Sequence, residues 1–344
     1  MKAPGHRDAR ADADVIGSAK IGPDLGTDQA LARVLRDGGG QALLDRLAET
    51  LPGADLTTLL LEVFRRRALR LTPADVMRRY GTDRFAAPGS VSFAALRRAE
   101  DVMLAALPKG FDIVTLAPVL PLGAHWVTGG VDPRNVVATI RGSEVAADPT
   151  NGLALEAAVR RRNILARSPR SAELVKLAAT QRVTRGQFVT GPVSFAHFQL
   201  LGLVTAGRDT GDQEFERRHL TQHLRFAAHG LIGCGVGNVR LAITCLDDAA
   251  SRTLLAVREG LAGLAGVEVT DAPERESGRA YYRGLCFKVF ADAGDGDMME
   301  IGDGGFVDWT ARLLGSQKER LLISGYGLDR LAIMTPGSLG PATP

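Results

Sequence analysis

Cysteine is scarce. Cys234, Cys245 and Cys286 stand far apart and make no Cys-x-x-Cys pair. That excludes a disulfide framework and points to a reducing, cytoplasmic setting. No apolar stretch is long and uncharged enough to span a bilayer. The N-terminus carries Asp8, Asp12 and Asp14 without an apolar core segment, which excludes a secretory leader. Internal repeats and low-complexity tracts are absent. No Ser-His-Asp or Cys-His arrangement stands out. Gly302-Asp-Gly-Gly305 is not a phosphate loop, because no Gly-Lys-Ser/Thr follows it. An excess of one charge is missing too: the net charge is +3 and the pI near 8.9. Such mild basicity permits nucleotide or nucleic-acid binding without demanding either.

What remains is 344 residues, 45% hydrophobic, enough for one large domain and a smaller one. Residues 1–25 read as a mobile tail. Residues 26–88 read as a helical block: a helix capped at Thr27 or Asp28, a break at Gly38-Gly-Gly40, a helix from Gln41 to Thr50, a helix capped by Asp55, and a short one opened by Thr72-Pro73. The arginines at 65–67, 70, 78 and 79 read as a solvated helix face. Residues 89–336 form the main domain, and 337–344 a second tail. Within it, a helix runs from Ser92 to about Leu107, and a strand from Phe111 is closed by Pro118. Asn135 to Val145 suggests a hairpin, with Glu144 a turn residue, before a helix from Leu153 to Arg162. Strands follow at 174–185 and 195–204, then a helix from Gln213 to His229. Strand 239–244, helix 248–261 and strands 281–290 and 298–301 complete the series. Hairpin-joined strands with interspersed helices suggest an antiparallel sheet flanked by helices in an α+β fold.

The stretch that organises the chain is Leu321-Leu-Ile-Ser-Gly325-Tyr-Gly327-Leu-Asp-Arg330. An apolar strand enters a glycine pair that lets a ligand come close, and Arg330 then opens a helix as a fixed cation suited to phosphate. Glu216, His219 and His223 could be drawn as a metal set at helical spacing, yet read better as a wet helix face.

Several motifs together resemble the catalytic core of class II aminoacyl-tRNA synthetases. Within that class the chain is most similar to histidyl-tRNA synthetase and its paralogue, the regulatory subunit of ATP phosphoribosyltransferase. The strand after Lys109-Gly-Phe111 resembles motif 1, which implies a homodimer. Val175-Lys-Leu-Ala-Ala-Thr180-Gln-Arg-Val-Thr-Arg185-Gly-Gln187 resembles the strand of motif 2, and Gly325 to Arg330 resembles motif 3. The resemblance implies ATP, with any Mg²⁺ its phosphates carry. Arg185 takes the place of the α-phosphate arginine, Gln187 that of the usual glutamate, and Phe198 that of the ring that stacks on adenine. Gly325, Gly327 and Arg330 form the γ-phosphate end. Tyr281-Tyr282 resembles the Tyr-Tyr strand, and Thr150 falls near the acid of the first histidine loop; these three are the implied substrate contacts. Glu144, Glu300 or Asp308 could help hold Mg²⁺, and no metal is expected apart from the nucleotide.

The departures are as informative. The residues that hold the imidazole fall at Leu200 and Val204, the carboxylate arginine at Ser277 with Arg275 or Arg279 as substitutes, and the glycine-strand arginine at Phe306. Apolar side chains leave a buried imidazole unpaired, so histidine is a poor substrate. Little room remains for an insertion domain, and the chain ends soon after motif 3, so a full tRNA is not the expected acceptor. Two expectations follow. One is ATP-dependent activation of a small-molecule carboxylate, catalysed by Arg185 and Arg330. The other is a non-catalytic regulatory subunit, with a protein partner on the N-terminal helices.

Overall fold

The computed structural model describes residues 29–187, 195–292 and 296–334, so both expected tails lie outside the described residues. The helices are α1 (Gln29–Asp37), α2 (Gly40–Asp45), α3 (Gly53–Ala68), α4 (Pro73–Thr82), α5 (Phe93–Ala105), α6 (Ala124–Gly129), α7 (Pro149–Arg167), α8 (Glu214–Gly233), α9 (Ser251–Leu261), α10 (Trp309–Leu314) and α11 (Leu328–Ile333). The strands are β1 (Asp112–Ile113), β2 (Val119–Pro121), β3 (Ser143–Val145), β4 (Val175–Thr184), β5 (His197–Arg208), β6 (Val239–Cys245), β7 (Val267–Asp271), β8 (Tyr282–Asp292), β9 (Met298–Val307) and β10 (Glu319–Gly327).

Eight strands form one sheet in the order β1-β4-β5-β10-β9-β8-β6-β7. Neighbours run antiparallel except at the two edges, where β1 joins β4 and β7 joins β6 in parallel. The sheet is covered on both faces, which explains why Leu200 to Val204 of β5, a central strand, carry no polar side chain. One face packs α5, α8, α9 and α11 through Met103, Leu220, Phe226, Leu231 and Tyr326. The other packs α7 and α10 through Leu153, Ala157, Val204, Ile323 and Trp309. Each such leucine buried completely contributes about 1.5–3 kcal/mol.

One close approach fixes where α7 lies. A Cβ at Gly202 of β5 would come within 2.8 Å of the Pro149 ring and 3.2 Å of Leu153. Glycine there lets the first turn of α7 rest directly on the strand, which sets the helix N-terminus on the sheet beside β10.

The first strand is much shorter than the sequence suggests. Only Asp112 and Ile113 join the sheet ladder, and β2 leaves to pair with β3 in a separate two-stranded ribbon. The ladder ends at Ile113, ahead of Pro118, and Pro121 is tolerated in β2 because that strand lies at the edge of a two-stranded ribbon. Residues 135–140 are not a strand, apart from a single bridge between Ala138 and Glu144. Helix α3 begins at Gly53 behind Pro52, ahead of the expected cap Asp55. Thr72 does cap α4, in a reciprocal capping box with Asp75. Among the described residues no helix is long and apolar enough to cross a membrane.

Candidate functional site

Where β10 passes into α11, beyond the N-terminus of α7, the sheet face is left open. A cavity of about 130 Å³ sits there. Arg185, Gln187, Phe198, Leu200, Gly325, Gly327 and Arg330 line it, together with Asp148, Glu300, Asp303 and Asp329. The three side chains on which the nucleotide expectation rests, Arg185, Phe198 and Arg330, therefore share one hollow, although 145 positions separate the first from the last.

The strand register explains the grouping. Gly325 of β10 stands opposite Gly202 of β5 and Asp303 of β9, so all three share one face of the sheet. The first turn of α7 covers that face at Gly202, while Gly325 and Asp303 beside it line the cavity. The glycines of this region fall into two kinds. A Cβ at Gly302 would lie 2.3 Å from the Gly325 carbonyl, and one at Gly304 2.5 Å from the Ile323 carbonyl. Those two are required by strand contact. At Gly325 a Cβ would meet nothing within 4 Å. What Gly325 leaves free is the cavity itself.

Arg185 lies over the Phe198 ring, its guanidinium carbon 5.0 Å from the ring centre. It also donates to the Ala147 carbonyl at 3.2 Å and to Asp148 at 3.3 Å. The platform expected to take an adenine thus already carries a cation. Asp148 caps α7: one carboxylate oxygen accepts the Thr150 amide at 2.9 Å and the Thr150 hydroxyl at 2.7 Å. Arg330 donates to the Glu300 carbonyl at 2.9 Å. Burial lowers its pKa below the ordinary arginine value, the nearby Arg185 charge adds to this, and Glu300 opposes. Two like charges on one wall, neither bound to a carboxylate in an ideal fork, are an arrangement that an anion relieves.

The expected substrate contacts do not line the cavity. Thr150 is buried against Asp148 in the first turn of α7. Tyr282 is buried behind Asp303, to which its hydroxyl donates at 3.3 Å, and its ring lies 4.3 Å from that of Tyr281. Of the two substitutes for a carboxylate arginine, Arg279 is exposed. Arg275 is buried: it donates to the Phe287 carbonyl at 2.7 Å and to Asp303 at 3.0 Å, and stands over the Tyr282 ring. Phe306 and Val204 are core residues, while Leu200 puts an apolar wall on the cavity. Asp303 and Asp329 belong to the lining without having been singled out from the sequence. The available signal was their place inside the glycine strand and beside Arg330.

Two readings of the sequence need correction. Glu144 is not a turn residue. It is buried on β3 and accepts the Gly123 and His125 amides, each at 2.9 Å, and the His125 ring Nδ1 at 2.5 Å. Burial alone would raise its pKa, but those hydrogen bonds prevail and hold it below the usual glutamate value. The Ala147 amide donates to His125 Nε2 at 3.0 Å, which fixes the ring as the neutral Nδ1–H tautomer. Nor are His219 and His223 a wet face. Both are buried; His223 bridges Thr205 at 3.0 Å and Ser324 at 2.9 Å, tying α8 to β5 and β10. Among the described residues no group of three or more His, Cys, Asp or Glu is placed to hold a metal. Of the three acids considered for Mg²⁺, Glu300 lines the cavity, Glu144 is enclosed under His125, and Asp308 lines a separate hollow and pairs with Arg283.

The architecture has known counterparts. Histidyl-tRNA synthetase from S. aureus superposes with a TM-score of 0.53 at 14% identity, covering 70% of this chain and 65% of that one. The chain has a class II aminoacyl-tRNA synthetase-like core. An ATP phosphoribosyltransferase regulatory subunit/histidyl-tRNA synthetase from Bacillus halodurans matches at TM-score 0.52 and 11% identity, over 73% of this chain and 82% of the other. A histidine–tRNA ligase subunit from Alicyclobacillus acidocaldarius matches at 0.53 and 15%, over 72% and 95%. The chain spans about two-thirds of the staphylococcal enzyme's length. No family profile matches the sequence, and no curated protein does either. At such identities the likeness speaks for the fold, and function has to be argued from the site.

Proposed function

We propose that the cavity binds ATP and that the chain activates a small-molecule carboxylate by adenylation. The observation that carries this is the meeting of Arg185, Phe198, Arg330 and the open Gly325 in one hollow. The donor set fits the nucleotide's chemistry: two fixed cations for phosphates, an aromatic face for a base, and glycine backbone that allows close approach. The cavity is smaller than the usual ligand pocket of about 300–1,000 Å³, so binding requires Arg185 to leave Phe198 or Asp148. ATP, when bound, would supply the α-phosphorus that the carboxylate oxygen attacks, with pyrophosphate leaving as the α–β bond breaks. Arg185 and Arg330 then hold the charge that builds on phosphate oxygens, in a recess where such charge is worth more than in water. Gln187 and the Gly325–Gly327 backbone frame the same end, and Glu300 is placed to share any Mg²⁺ that the phosphates bring. Thr150, Tyr281, Tyr282 and the buried Arg275 shape the carboxylate end from behind Asp148 and Asp303. The apolar Leu200 argues against histidine as that carboxylate, and the acceptor proposed is not a full tRNA.

Calorimetric titration of ATP beside Arg330→Ala, followed by ATP–pyrophosphate exchange over a broad panel of carboxylic acids, tests the proposal. Binding lost in the variant and exchange with at least one acid are expected. Absence of ATP binding by the wild-type chain would refute it.

A regulatory reading has one observation in its favour. Helices α2, α3 and α4 contain no buried residue, and α3 and α4 expose Leu59, Val63, Phe64, Val76, Met77 and Tyr80 among arginines. Such a surface suits a protein partner with acidic and aliphatic side chains. Co-purification of a catalytic subunit with the full chain, lost when Phe64 and Met77 are made glutamate, would favour that reading. Full activity of the isolated chain would count against it. In either case we propose a homodimer through the motif 1 region, where Ile113, Leu122, Trp126 and Val127 are each exposed.

A further inference from the structure

Residues 84–89 carry the chain from α4 toward α5 past Gln187, which lines the cavity. Arg84 is half-buried there. Its Nη2 donates to the Gly186 carbonyl at 2.5 Å and its Nη1 to the Gln187 carbonyl at 3.2 Å. Those carbonyls belong to the two residues that follow Arg185. Gly186 is held from the opposite side as well. Its amide donates to the Asn135 carbonyl at 2.8 Å, and a Cβ at Gly186 would come within 3.0 Å of that same backbone. Further along, the Ala87 carbonyl accepts from His197 Nε2 at 2.6 Å, while His197 Nδ1 accepts from Arg182 Nε at 2.8 Å. Arg182 reaches to 3.9 Å from Asp329, a cavity residue whose other oxygen accepts the Gln199 amide at 2.6 Å. Gly89 leaves room for this, since a Cβ there would lie 2.6 Å from the Arg182 guanidinium.

We infer that residues 84–89 are a strap that positions the Arg185 loop, with Arg84 as its positioning residue. For its ligand this rests on the ATP reading above. Arg185 lies just past the end of β4, and its own side-chain bonds are long, at 3.2 and 3.3 Å. Where its guanidinium sits is therefore set by the backbone of residues 185–187. That backbone is tied by the Arg185 amide to the Ala196 carbonyl at 3.0 Å, by the Gly186 amide to Asn135, and by Arg84. Of these ties only Arg84 is charged, and a guanidinium fork across two successive carbonyls fixes their orientation more firmly than one neutral bond. Arg84 follows the last residue of α4 by two positions. A partner that shifts α4 shifts this clamp, so the helical block becomes a handle on the cavity.

The test uses the full chain with Arg84→Ala and Arg84→Lys. ATP affinity is measured by calorimetry, and amide hydrogen exchange is followed at Arg185 and Gly186. In Arg84→Ala we expect ATP to bind about tenfold more weakly, with faster exchange at both amides and little change in melting temperature. Arg84→Lys recovers part of the affinity, because one ammonium reaches one carbonyl and not the pair. A purely structural role would lower stability without this graded rescue. Unchanged affinity and unchanged exchange in Arg84→Ala would overturn the strap. If the wild-type chain itself fails to bind ATP, the reading above has failed and the strap is judged on exchange alone: acceleration upholds it, no change refutes it. Should Arg84→Ala not fold, His197→Ala, which cuts the link from Ala87 to Arg182, is scored the same way.

Discussion

Gly325→Val separates the cavity from the fold more cleanly than any change of charge. The residue is inside β10, hydrogen-bonded between β5 and β9, and its φ is not positive. A strand interior disfavours glycine by about 0.5–1 kcal/mol relative to a residue with a side chain, and β-branched residues are the ones strands prefer. A Cβ at position 325 touches nothing within 4 Å, so valine has no wall to strain. The ligand-free variant is expected to be as stable as the parent or up to about 1 kcal/mol more stable, a rise of at most roughly 1–2 °C in melting temperature for a chain this long. Its three added carbons stand in a cavity of only about 130 Å³, whose wall Gly325 shares with Phe198 and Arg330. Nucleotide binding should fall by at least about a hundredfold, the equivalent of roughly 2.7 kcal/mol. Thermal shift without ligand gives the first half of the prediction, and calorimetry with ATP gives the second. Undiminished ATP affinity with the fold intact would show that the nucleotide, if bound, sits elsewhere. Collapse of the fold would show that the hollow is closed in solution.

Other outcomes follow from buried charge and exposed surface. Arg161 and Glu319 form a two-bond ion pair at 2.8 and 2.9 Å with neither side chain exposed, so Glu319→Gln leaves a guanidinium uncompensated. Urea unfolding should show a loss of about 3–5 kcal/mol, and a loss below about 1 kcal/mol would mean that water reaches the pair. Burial lowers the His219 pKa to about 4 and that of His223 to about 3, below the ordinary value of 6.5. The fold holds both rings neutral, so their contribution to stability is complete above pH 6.5 and is lost as pH falls toward their folded values, by about 1.4 kcal/mol per pH unit for each ring. Urea midpoints between pH 7 and 4.5 should show that slope, and His223→Gln should roughly halve it; a flat profile would place the rings in water. Trp126→Glu puts a charge into the exposed apolar group around Leu122 and Val127, and sedimentation should change from dimer to monomer. A monomeric parent would remove the dimer proposal altogether.

Much of the sheet was legible because its strands carry their own signals. The run Leu200 to Val204 has no polar side chain and no alternation, as a strand covered on both faces must, and Leu321 to Ile323 leads into glycines and then an arginine. The first strand was overread because its apolar residues continue past Ile113, whereas the chain turns off the sheet to form the β2–β3 ribbon. The histidines of α8 were misread because a helix rich in arginine and glutamate hides a buried polar stripe. The partners of His223, Thr205 and Ser324, lie on two different strands, 18 and 101 positions away. Glu144 was misread for the same kind of reason: what makes it a buried acceptor is a loop around Gly123 and His125 with no periodicity of its own. Local pattern reports which face of an element is apolar. It does not report polar groups that become buried only because another element brings their partner.

Asp148 is where the two proposed functions diverge. Its carboxylate caps α7 through Thr150 with one oxygen and holds Arg185 with the other. The Arg185 contact is 3.3 Å long and both side chains are about 30% exposed, so by the measure of partly exposed pairs it is worth no more than about 1 kcal/mol. An α-phosphate carries a single charge too, but it offers the same guanidinium two oxygens in forked geometry, which is worth more than that. Displacement of Asp148 by an anion is therefore downhill, and Asp148→Asn should tighten anion binding slightly while the Thr150 cap persists. If the chain were instead a regulatory subunit with a closed cavity, the same substitution would loosen Arg185 from its resting place and bring no gain in affinity for any phosphate. Tighter nucleotide binding in Asp148→Asn thus speaks for a working site, and unchanged binding speaks for an inherited hollow that something other than a nucleotide controls.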